Sequence, residues 1–341
     1  MSETVSTGLS RVAGGATLSS SEIGAVIEDV MGGNAEPLQV AALLACLRAR
    51  GETHDEIAGA ARAMRSLAVE VPAAPPGAID TCGTGGDGAG TFNVSTVAAL
   101  VVAGAGVPVA KHGNRAATSR CGSAEVLEAL GVAIEIPPTA MARSVHENGI
   151  GFLYARSCHP AMATVAPIRA ALGIPTIFNR LGPLTNPMRP EFQLLGVGRH
   201  EMMASAATGL AELEVKRAWV VHGEDGLDEV STTARTHVVA LEDGQQTEFS
   251  IEAGEHVPVG KLSDIQGGDP EHNAALAHRI LAGETGPCRD IVVLNAAAAL
   301  CVAGRAEALG EAVNLASQSL DSGAAAATLE RWAKFTQEQA G

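Results

Sequence analysis

Residues 78–125, AIDTCGTGGDGAGTFNVSTVAALVVAGAGVPVAKHGNRAATSRCGSAE, determine the fold class of this chain. They contain a Gly-rich turn at residues 83–88 and a second turn at residues 111–115, and each turn follows a short apolar run. The apolar stretch 97–102 between the turns predicts a helix that ends by Gly106. Strand, turn, helix, strand and turn in this order predict a βαβ unit. Both turns then lie at the carboxyl ends of parallel strands, where open α/β sheets bind ligands.

The first turn has the composition of an anion site. Glycine lets the backbone approach a ligand closely and adopt positive φ, so that several N–H groups can point at one anion. Asn93, Ser95 and Thr96 favour the start of a helix. There the free N–H groups and the helix dipole stabilise an anion by about 0.3 to 1 kcal/mol. The second turn and the residues after it add four basic side chains to an otherwise acidic chain: Lys111, His112, Arg115 and Arg120.

A phosphate site is one of several structures that a Gly-rich turn can form. Such a turn is often only a tight connection between a strand and a helix. Gly83, Gly85 and Gly88 also match G-x-G-x-x-G, but a dinucleotide site needs an acidic residue about twenty positions on. The second predicted strand ends instead in Ala110-Lys111. A P-loop needs Gly-Lys-Ser/Thr at the end of the turn, and the turn does not have it.

Three motifs in this stretch resemble, in their order and spacing, the signature of the anthranilate phosphoribosyltransferase family. They are Gly83-Thr84-Gly85-Gly86-Asp87, Asn93-x-Ser95-Thr96 and Lys111-His112-Gly113-Asn114-Arg115. The resemblance extends from about residue 18 to residue 338. It implies an enzyme of tryptophan biosynthesis with an α/β fold: a small N-terminal all-helical domain and a larger α/β domain with a mainly parallel central sheet.

The resemblance also implies which residues bind the donor substrate, phosphoribosyl pyrophosphate (PRPP). They are Gly83, Gly86, Asp87, Thr91, Asn93, Ser95, Thr96, Lys111, His112, Gly113, Asn114, Arg115, Ser119 and Ser123.

Composition and charge narrow the class of protein. The chain has 341 residues, 46% of them hydrophobic, which suffices for one large or two modest domains. Its formal net charge of −15 argues against nucleic acid or an anionic membrane as the main partner. An anionic small substrate remains compatible, because the local field of a site can oppose the net charge.

Cysteine usage and the first residues predict a cytoplasmic location. The six cysteines are scattered without a C-x-x-C pair, which predicts reduced thiols and no zinc site. The first ten residues, MSETVSTGLS, lack the basic and apolar regions of a secretory signal. The densest apolar stretch, residues 97–109, is too short and too often interrupted by glycine to span a bilayer.

Residues 18–70 predict three helices. Ser19-x-x-Glu22 and Thr53-x-x-Glu56 match the capping box, and Pro37 stands near the start of the second helix. The stretch VPAAPPG at residues 71–77 predicts a stiff linker.

We therefore expect a helical domain over residues 1–72 and an α/β, PRPP-binding domain over residues 78–341. We expect helices from about residues 163–190 to pack onto the helical domain. The resemblance implies a homodimer whose contact is made by the N-terminal helices.

Alternating patterns continue the α/β order beyond the central unit. They predict a helix at 126–130, a strand at 132–136, a helix ending near residue 148, strands at 151–155 and 192–197, a helix at 201–213, a strand at 218–222, a hairpin within 236–262 and a strand at 291–294.

The segment from His159-Pro160-Ala161-Met162 to Pro187 resembles the part of the family that forms the pocket for the aromatic acid. The resemblance implies that Arg169 binds the carboxylate of anthranilate, together with Gly83 and Asn114. An isolated arginine on a helix is otherwise usually a solvated charge. Two positions of this segment depart from the family pattern: Ala163 stands in place of the usual Lys, and Pro175 in place of the usual Arg.

Adjacent carboxylates follow a predicted strand at Gly226-Leu227-Asp228-Glu229. Mg²⁺ prefers oxygen ligands and is typically held by one or two carboxylates plus substrate phosphate. An exposed acidic turn would have the same composition. The match to the family's metal motif implies that Asp228 and Glu229 bind Mg²⁺ with Ser95, whereas Glu224 and Asp225 are expected to be solvated neighbours.

The expected reaction is transfer of the 5-phosphoribosyl group from PRPP to the amine of anthranilate, giving N-(5-phosphoribosyl)anthranilate and pyrophosphate. The substrate identity comes from the resemblance. The residues themselves indicate an anion site with a metal-type carboxylate pair, suited to stabilise a pyrophosphate leaving group. An aryl amine is uncharged at neutral pH, so positioning can matter more than a strong base. No general base is assigned; His112 is the candidate.

Two alternatives remain open. A pyrimidine nucleoside phosphorylase-like enzyme has a similar fold type and Gly-rich turn, but would lack the 111–115 and Asp228-Glu229 motifs. A non-catalytic paralogue that binds nucleic acid would have a basic surface and eroded acceptor or metal residues. This chain is acidic and retains Asn114, Arg169, Asp228 and Glu229.

Overall fold

The computed structural model describes residues 2–116 and 120–341. Its N-terminal part is helical: α1 (Glu3–Ala13), α2 (Ser20–Met31), α3 (Pro37–Arg50) and α4 (His54–Ser66). The last three confirm the predicted helices, and both predicted capping boxes form. α1 was not predicted. The Ser2 hydroxyl caps it by accepting a hydrogen bond from the N–H of Val5, and Val5 and Val12 face the interior.

The rest of the chain alternates strands and helices before it ends in four helices. The elements are β1 (Ile79–Gly83), α5 (Val94–Gly104), β2 (Val109–Gly113), α6 (Ser123–Ala129), α7 (Pro138–Asn148), β3 (Ile150–Tyr154), α8 (Ala155–Cys158), α9 (Met162–Leu172), α10 (Ile177–Leu181), β4 (Phe192–Gly196), α11 (Met203–Glu212), β5 (Arg217–Gly223), β6 (Thr236–Glu242), β7 (Gln245–Ile251), α12 (Pro270–Leu281), α13 (Pro287–Val302), α14 (Leu309–Asp321) and α15 (Ala324–Ala340).

The strands form one sheet in the order β3-β2-β1-β4-β5-β6-β7. β1 to β5 are parallel, and β6 and β7 add an antiparallel hairpin at one edge. The chain moves outward from β1 to β3 and then returns to place β4 on the other side of β1. β1 and β4 therefore flank the switch point of the sheet, outside which α/β proteins bind ligands. The predicted fold class is confirmed.

Each face of the sheet has its own core. Successive strand residues point to opposite faces, so Leu194 of β4 packs in one cluster and Leu195 in the other. The first cluster contains α5, α13 and α15, with the fully buried Trp332. The second joins the N-terminal helices to α9, α10 and α11, with Ile57 and Phe178 among its members. The N-terminal helices, α9 and α10 therefore stand on one face of the sheet.

Two predicted strands are wrong. Residues 132–136 form no strand, although Val132, Ile134 and Ile136 are buried. Their alternation reflects an extended segment lying on the core without a strand partner. Residues 291–294 lie in α13, whose residues 291–302 are all buried. A short continuous apolar run fits a buried helix as well as a buried strand, so periodicity could not decide between them.

Among the described residues, no helix is both long and apolar enough to cross a membrane.

Candidate active site

The Gly-rich turn and the acidic loop meet at the switch point. The N–H of Gly85 donates a hydrogen bond to Oδ2 of Asp228 at 2.8 Å, across 143 residues of sequence. A Cβ on Gly83 would lie 2.5 Å from the same oxygen, and one on Gly196 would lie 1.6 Å from the Asp228 carbonyl oxygen. Glycine at the ends of β1 and β4 is therefore what lets the acidic loop approach the sheet.

Glu229 contacts the first turn of α5. The N–H of Ser95 donates to Oε1 of Glu229 at 3.2 Å. The ammonium of Lys111 lies beside them and donates to the Ser95 hydroxyl at 3.4 Å and to the Thr81 carbonyl. Only 3% of Lys111 is exposed. Asp228, Glu229, Ser95 and Lys111 thus lie together in the structure.

The second turn differs from the predicted one. Lys111, His112 and Gly113 belong to β2, and the first two are buried there. Apolar residues precede them, but the stems of lysine and histidine can also be buried along a strand when their polar ends find partners. Lys111 and His112 therefore lie within the strand, whereas Arg115 and Arg120 are not buried.

The pKa values of Asp228 and Glu229 are both raised. Burial and then the nearby charge of Asp87 raise the pKa of Asp228, and burial and then the charge of Asp228 raise the pKa of Glu229. Crowded carboxylates of this kind favour a divalent cation, which offsets their repulsion.

A Mg²⁺ ion fits these residues. No group of three or more His, Cys, Asp or Glu side chains in the described ranges is arranged as a metal cage. Mg²⁺ does not need one, since one or two carboxylates with water and substrate phosphate are its common ligands. Asp228 and Glu229 are the carboxylates that would hold it, with the Ser95 hydroxyl adjacent.

The two acidic residues before the carboxylate pair, Glu224 and Asp225, differ in their exposure to solvent. Asp225 was expected to be a solvated neighbour, but it is only partly exposed. Its carboxylate accepts hydrogen bonds from the Ser231 hydroxyl at 2.6 Å, from the Thr233 hydroxyl and from the Leu227 N–H at 3.3 Å, and so ties the loop together. Glu224 is exposed, as expected, and lies 3.1 Å from the Nε2 atom of His237.

Several predicted PRPP ligands are engaged with the protein. The Asn93 amide donates to the Cys121 carbonyl at 3.2 Å and accepts from Asn273 at 3.0 Å. The Arg115 guanidinium forms two hydrogen bonds with Glu128, at 2.7 and 2.8 Å. Arg115 is therefore paired with a carboxylate of α6.

The remaining predicted PRPP ligands lie in or after β1 and β2 and near the starts of α5 and α6. The Ser123 hydroxyl donates to the Asn114 carbonyl at 3.2 Å, and a Cβ on Gly113 would lie 2.5 Å from that hydroxyl. Thr96 is buried in α5, and Thr91 forms an isolated bridge with Gln266. Gly86 and Asp87 lie in the first turn. Ser119 lies outside the described residues.

Arg169 lies apart from these groups. Its guanidinium stacks over the Phe178 ring at 5.7 Å and donates to the Asn179 amide oxygen at 3.3 Å. Its Nε is buried without a hydrogen-bond partner among the described residues, and burial lowers the pKa of Arg169. No hydrogen bond of the described residues joins it to Gly83 or Asn114. The departures Ala163 and Pro175 are both exposed.

Sequence reasoning missed a buried polar group behind the site. Asp80 is 0% exposed and accepts hydrogen bonds from the His112 N–H at 3.1 Å and the Asn186 amide at 2.9 Å. The imidazole of His159 meets that of His112 edge to face, with ring centroids 5.3 Å apart. The signal was an aspartate inside an apolar strand, which is costly to bury unless it is hydrogen-bonded.

His112 is poorly suited to accept a proton. Its Nδ1 lies 2.9 Å from the Gly182 carbonyl, so Nδ1 carries the hydrogen and Nε2 the lone pair. Burial, with the neighbouring His159, lowers the pKa of His112 to about 3, and burial lowers the pKa of His159 to about 4. At neutral pH both rings are neutral, and a base this weak gives little driving force for proton transfer.

These two histidines predict a loss of stability in acid. An unfolded histidine has a pKa of about 6.5. The unfolded chain therefore binds more protons than the folded one as pH falls below that value, which lowers stability. Each ring should cost up to about 2 kcal/mol of unfolding free energy at pH 5 relative to pH 8. Urea unfolding of His159→Gln should have a shallower pH dependence than the wild type. A change at the exposed His54, His54→Gln, serves as the control, and equal slopes for all three proteins would contradict the assignment.

Two family models match the chain. Residues 75–326 match the a/b domain of a glycosyl transferase family, and residues 8–68 match the helical bundle domain of a glycosyl transferase family. The anthranilate phosphoribosyltransferase of Methylorubrum extorquens is 51% identical over 326 residues, which is 95% of this chain and 96% of that protein.

Solved structures agree with these matches. The crystal structure of anthranilate phosphoribosyltransferase from Thermus thermophilus superposes with a TM-score of 0.92 at 45% identity, covering 97% of this chain and 99% of that one. The enzyme of Saccharomyces cerevisiae in complex with PRPP and Mg superposes with a TM-score of 0.91 at 28% identity, covering 99% of each chain. The chain belongs to the anthranilate phosphoribosyltransferase family.

Proposed function

We propose that this protein transfers the 5-phosphoribosyl group of PRPP to the amine of anthranilate, with release of pyrophosphate. The observation that supports it best is the contact at the switch point, where the Gly-rich turn meets Asp228 and Ser95 meets Glu229. There, backbone N–H groups of the kind that bind phosphate lie beside carboxylates of the kind that bind Mg²⁺. Relatives at about half identity carry this activity in their names.

The reaction is a substitution at C1 of the ribose. The bond from C1 to the pyrophosphate oxygen breaks as the bond to the amine nitrogen forms, and the amine then loses a proton. The charge that grows on pyrophosphate must be stabilised by groups already in place. The N–H groups of the first turn and the buried ammonium of Lys111 are such groups. Asp228 and Glu229 would hold Mg²⁺, which would supply further charge neutralisation on the leaving group.

The acceptor is oriented by other residues. We assign the anthranilate carboxylate to Arg169, whose buried Nε–H has no hydrogen-bond partner among the described residues. Asn114 and Gly83, at the ends of β2 and β1, complete the acceptor side. His112 is buried and neutral, and its low pKa gives it little basicity. Its role is therefore to hold neighbouring groups in place and not to accept a proton.

The domain division, the assembly and the location are also proposed. The helical domain covers residues 1–72, with the helices of residues 163–190 packed on it, and the α/β domain covers residues 78–341. A homodimer through the N-terminal helices is supported by Leu38 at the start of α3, which is 85% exposed. Sedimentation equilibrium should give twice the mass of the chain. A cytoplasmic location is supported by the six cysteines, none of which forms a disulfide in the described ranges.

One experiment separates this function from phosphorolysis of a pyrimidine nucleoside. The purified protein is given anthranilate with PRPP and Mg²⁺ in one series and uridine with phosphate in the other. We expect pyrophosphate release in the first series and no uracil in the second. Uracil formation without pyrophosphate release would overturn the proposal.

Gly86→Ala should weaken PRPP binding at least about fivefold, since a methyl group would stand where the backbone must meet the ligand. Gly86 has φ +77° and nothing within 4 Å of a Cβ, so the substitution strains the backbone without a clash inside the protein. Gly77, with φ +75° and equally open space in the linker, supplies a matched control. Calorimetry should find the PRPP affinity of Gly77→Ala equal to that of the wild type. If Gly86→Ala has this affinity too, the first turn does not bind PRPP through its backbone.

A further inference from the structure

Asn295 is a polar residue in a helix segment that is otherwise buried and apolar. Every residue of α13 from 291 to 302 is buried, and Asn295 is 1% exposed. Asparagine is a weak helix former, and a buried amide is costly unless each of its groups has a partner. The surrounding sequence, IVVLNAAAALCV, has no other strongly polar residue. The position therefore calls for an explanation beyond core packing.

The amide of Asn295 binds both backbone polar groups of one residue in the acidic loop. The Val230 N–H donates to its Oδ1 at 2.8 Å, and its Nδ2 donates to the Val230 carbonyl at 2.9 Å. The second hydrogen of Nδ2 goes to the Ile291 carbonyl of the same helix at 2.9 Å. The side chain thus acts like a short piece of neighbouring strand, with its donors used and its orientation fixed.

Val230 directly follows the carboxylate pair. Its N–H belongs to the peptide group that joins it to Glu229, so fixing that group fixes the direction in which the Glu229 side chain leaves the backbone. Asn295 also lines, with Ser95 and Glu229, a small cavity of about 10 Å³ under the site. The hydrogen bonds of Asp225 tie the loop to itself, whereas the Asn295 contact ties it to a rigid helix behind the sheet.

We infer that Asn295 is a positioning residue for the divalent cation: through Val230 it holds Asp228 and Glu229 in the arrangement that binds the ion. The inference rests on the proposed function, since it assumes that this pair is the cation site. Metal ligands need support from the groups that orient them, and loss of such support typically costs about 10- to 100-fold in metal affinity.

The test measures cation binding directly, with Mn²⁺ as the probe. The full-length protein without substrates is titrated with Mn²⁺, and the free ion is followed by electron paramagnetic resonance. Asn295→Leu keeps the volume and removes both contacts to Val230; we expect binding at least about tenfold weaker than in the wild type. Asn295→Gln keeps the amide but carries it on a side chain that is one methylene longer. It is the milder change and replaces the leucine variant if that variant does not fold. It should also weaken binding, by a smaller factor.

A kinetic readout separates positioning from general damage. In the Asn295 variants, the Mg²⁺ concentration that gives half-maximal activity should rise by a factor similar to that in the titration. At high Mg²⁺ their kcat should recover, and their KM for anthranilate should stay unchanged. Ser319→Ala is the matched control. It removes a buried hydrogen bond of 2.8 Å between α14 and α5, remote in sequence from the acidic loop. It should lower Tm and leave Mn²⁺ binding as in the wild type.

Wild-type Mn²⁺ affinity in both Asn295 variants would overturn the inference while leaving the proposed function intact. An effect on anthranilate KM or on kcat that high Mg²⁺ does not rescue would also overturn it. The double variant Asp228→Asn with Glu229→Gln should abolish the Mn²⁺ binding seen in the wild type. If the wild type and the double variant bind Mn²⁺ equally, the cation site of the proposed function is wrong, and the inference falls with it.

Discussion

The double variant Asp228→Asn with Glu229→Gln is expected to lower kcat by about 10²- to 10³-fold, the loss typical when a group that stabilises transition-state charge is removed. This corresponds to about 2.7 to 4 kcal/mol of activation free energy. Both amides keep the shape of the carboxylates, and the amide oxygens can still accept from Gly85 and Ser95. What is lost is the negative charge that attracts Mg²⁺.

Stability should not fall with activity. Burial raises the pKa of both carboxyl groups, with the charge of Asp87 adding to it at Asp228 and that of Asp228 at Glu229, so their charged forms are costly to the folded protein without the ion. The metal-free double variant should therefore melt at the wild-type temperature or above it. Glu224→Gln, which removes one carboxylate at an exposed position of this loop, is the control and should retain full activity. Wild-type turnover by the double variant at limiting Mg²⁺ would mean that the loop is only an acidic turn.

Arg169→Ala is expected to raise the KM for anthranilate by about 10- to 100-fold, the range for a hydrogen bond to a charged group. A guanidinium can meet a planar carboxylate with two parallel N–H bonds, which a lysine cannot reproduce. Arg169→Lys should therefore recover only part of the loss. The guanidinium is held by Phe178 and Asn179 with its Nε unpaired among the described residues, so its geometry is set before the acceptor arrives.

The division between KM and kcat tells what else Arg169 does. If the contact is equal in the ground and transition states, kcat should stay constant. If the contact also aims the amine at C1, kcat falls too. Arg143→Ala, which removes a half-exposed arginine from α7, controls for loss of charge alone. A defect confined to PRPP, or none, would defeat the carboxylate assignment.

Local patterns in the sequence were sufficient to predict part of the fold. Capping boxes fix α2 and α4 through residues three apart, and glycines mark the turn after β1 by their tolerance of positive φ. The βαβ order followed from the same short-range signals. These features are encoded within a few residues, so a single sequence reveals them.

Features that depend on distant contacts could not be predicted. The bond from Gly85 to Asp228 joins residues far apart in the chain, and only the return of the chain at β4 brings the two together. Lys111 was predicted to lie in a turn because it is charged. It is buried instead, because its ammonium donates hydrogen bonds to Thr81 and Ser95 of other elements. Residues 291–294 of α13 have the composition of a strand, and the packing of the helix against α5 and α14 decides their form.

This protein is proposed to join anthranilate to the phosphoribosyl group of PRPP at a Mg²⁺-dependent site. The most direct test follows the fluorescence of anthranilate with purified protein, PRPP and Mg²⁺, with pyrophosphate measured in parallel. We expect fluorescence to disappear in step with pyrophosphate release, mole for mole, and both to stop when EDTA removes the metal. Stable fluorescence in the complete mixture, or a loss that needs no PRPP, would contradict the account.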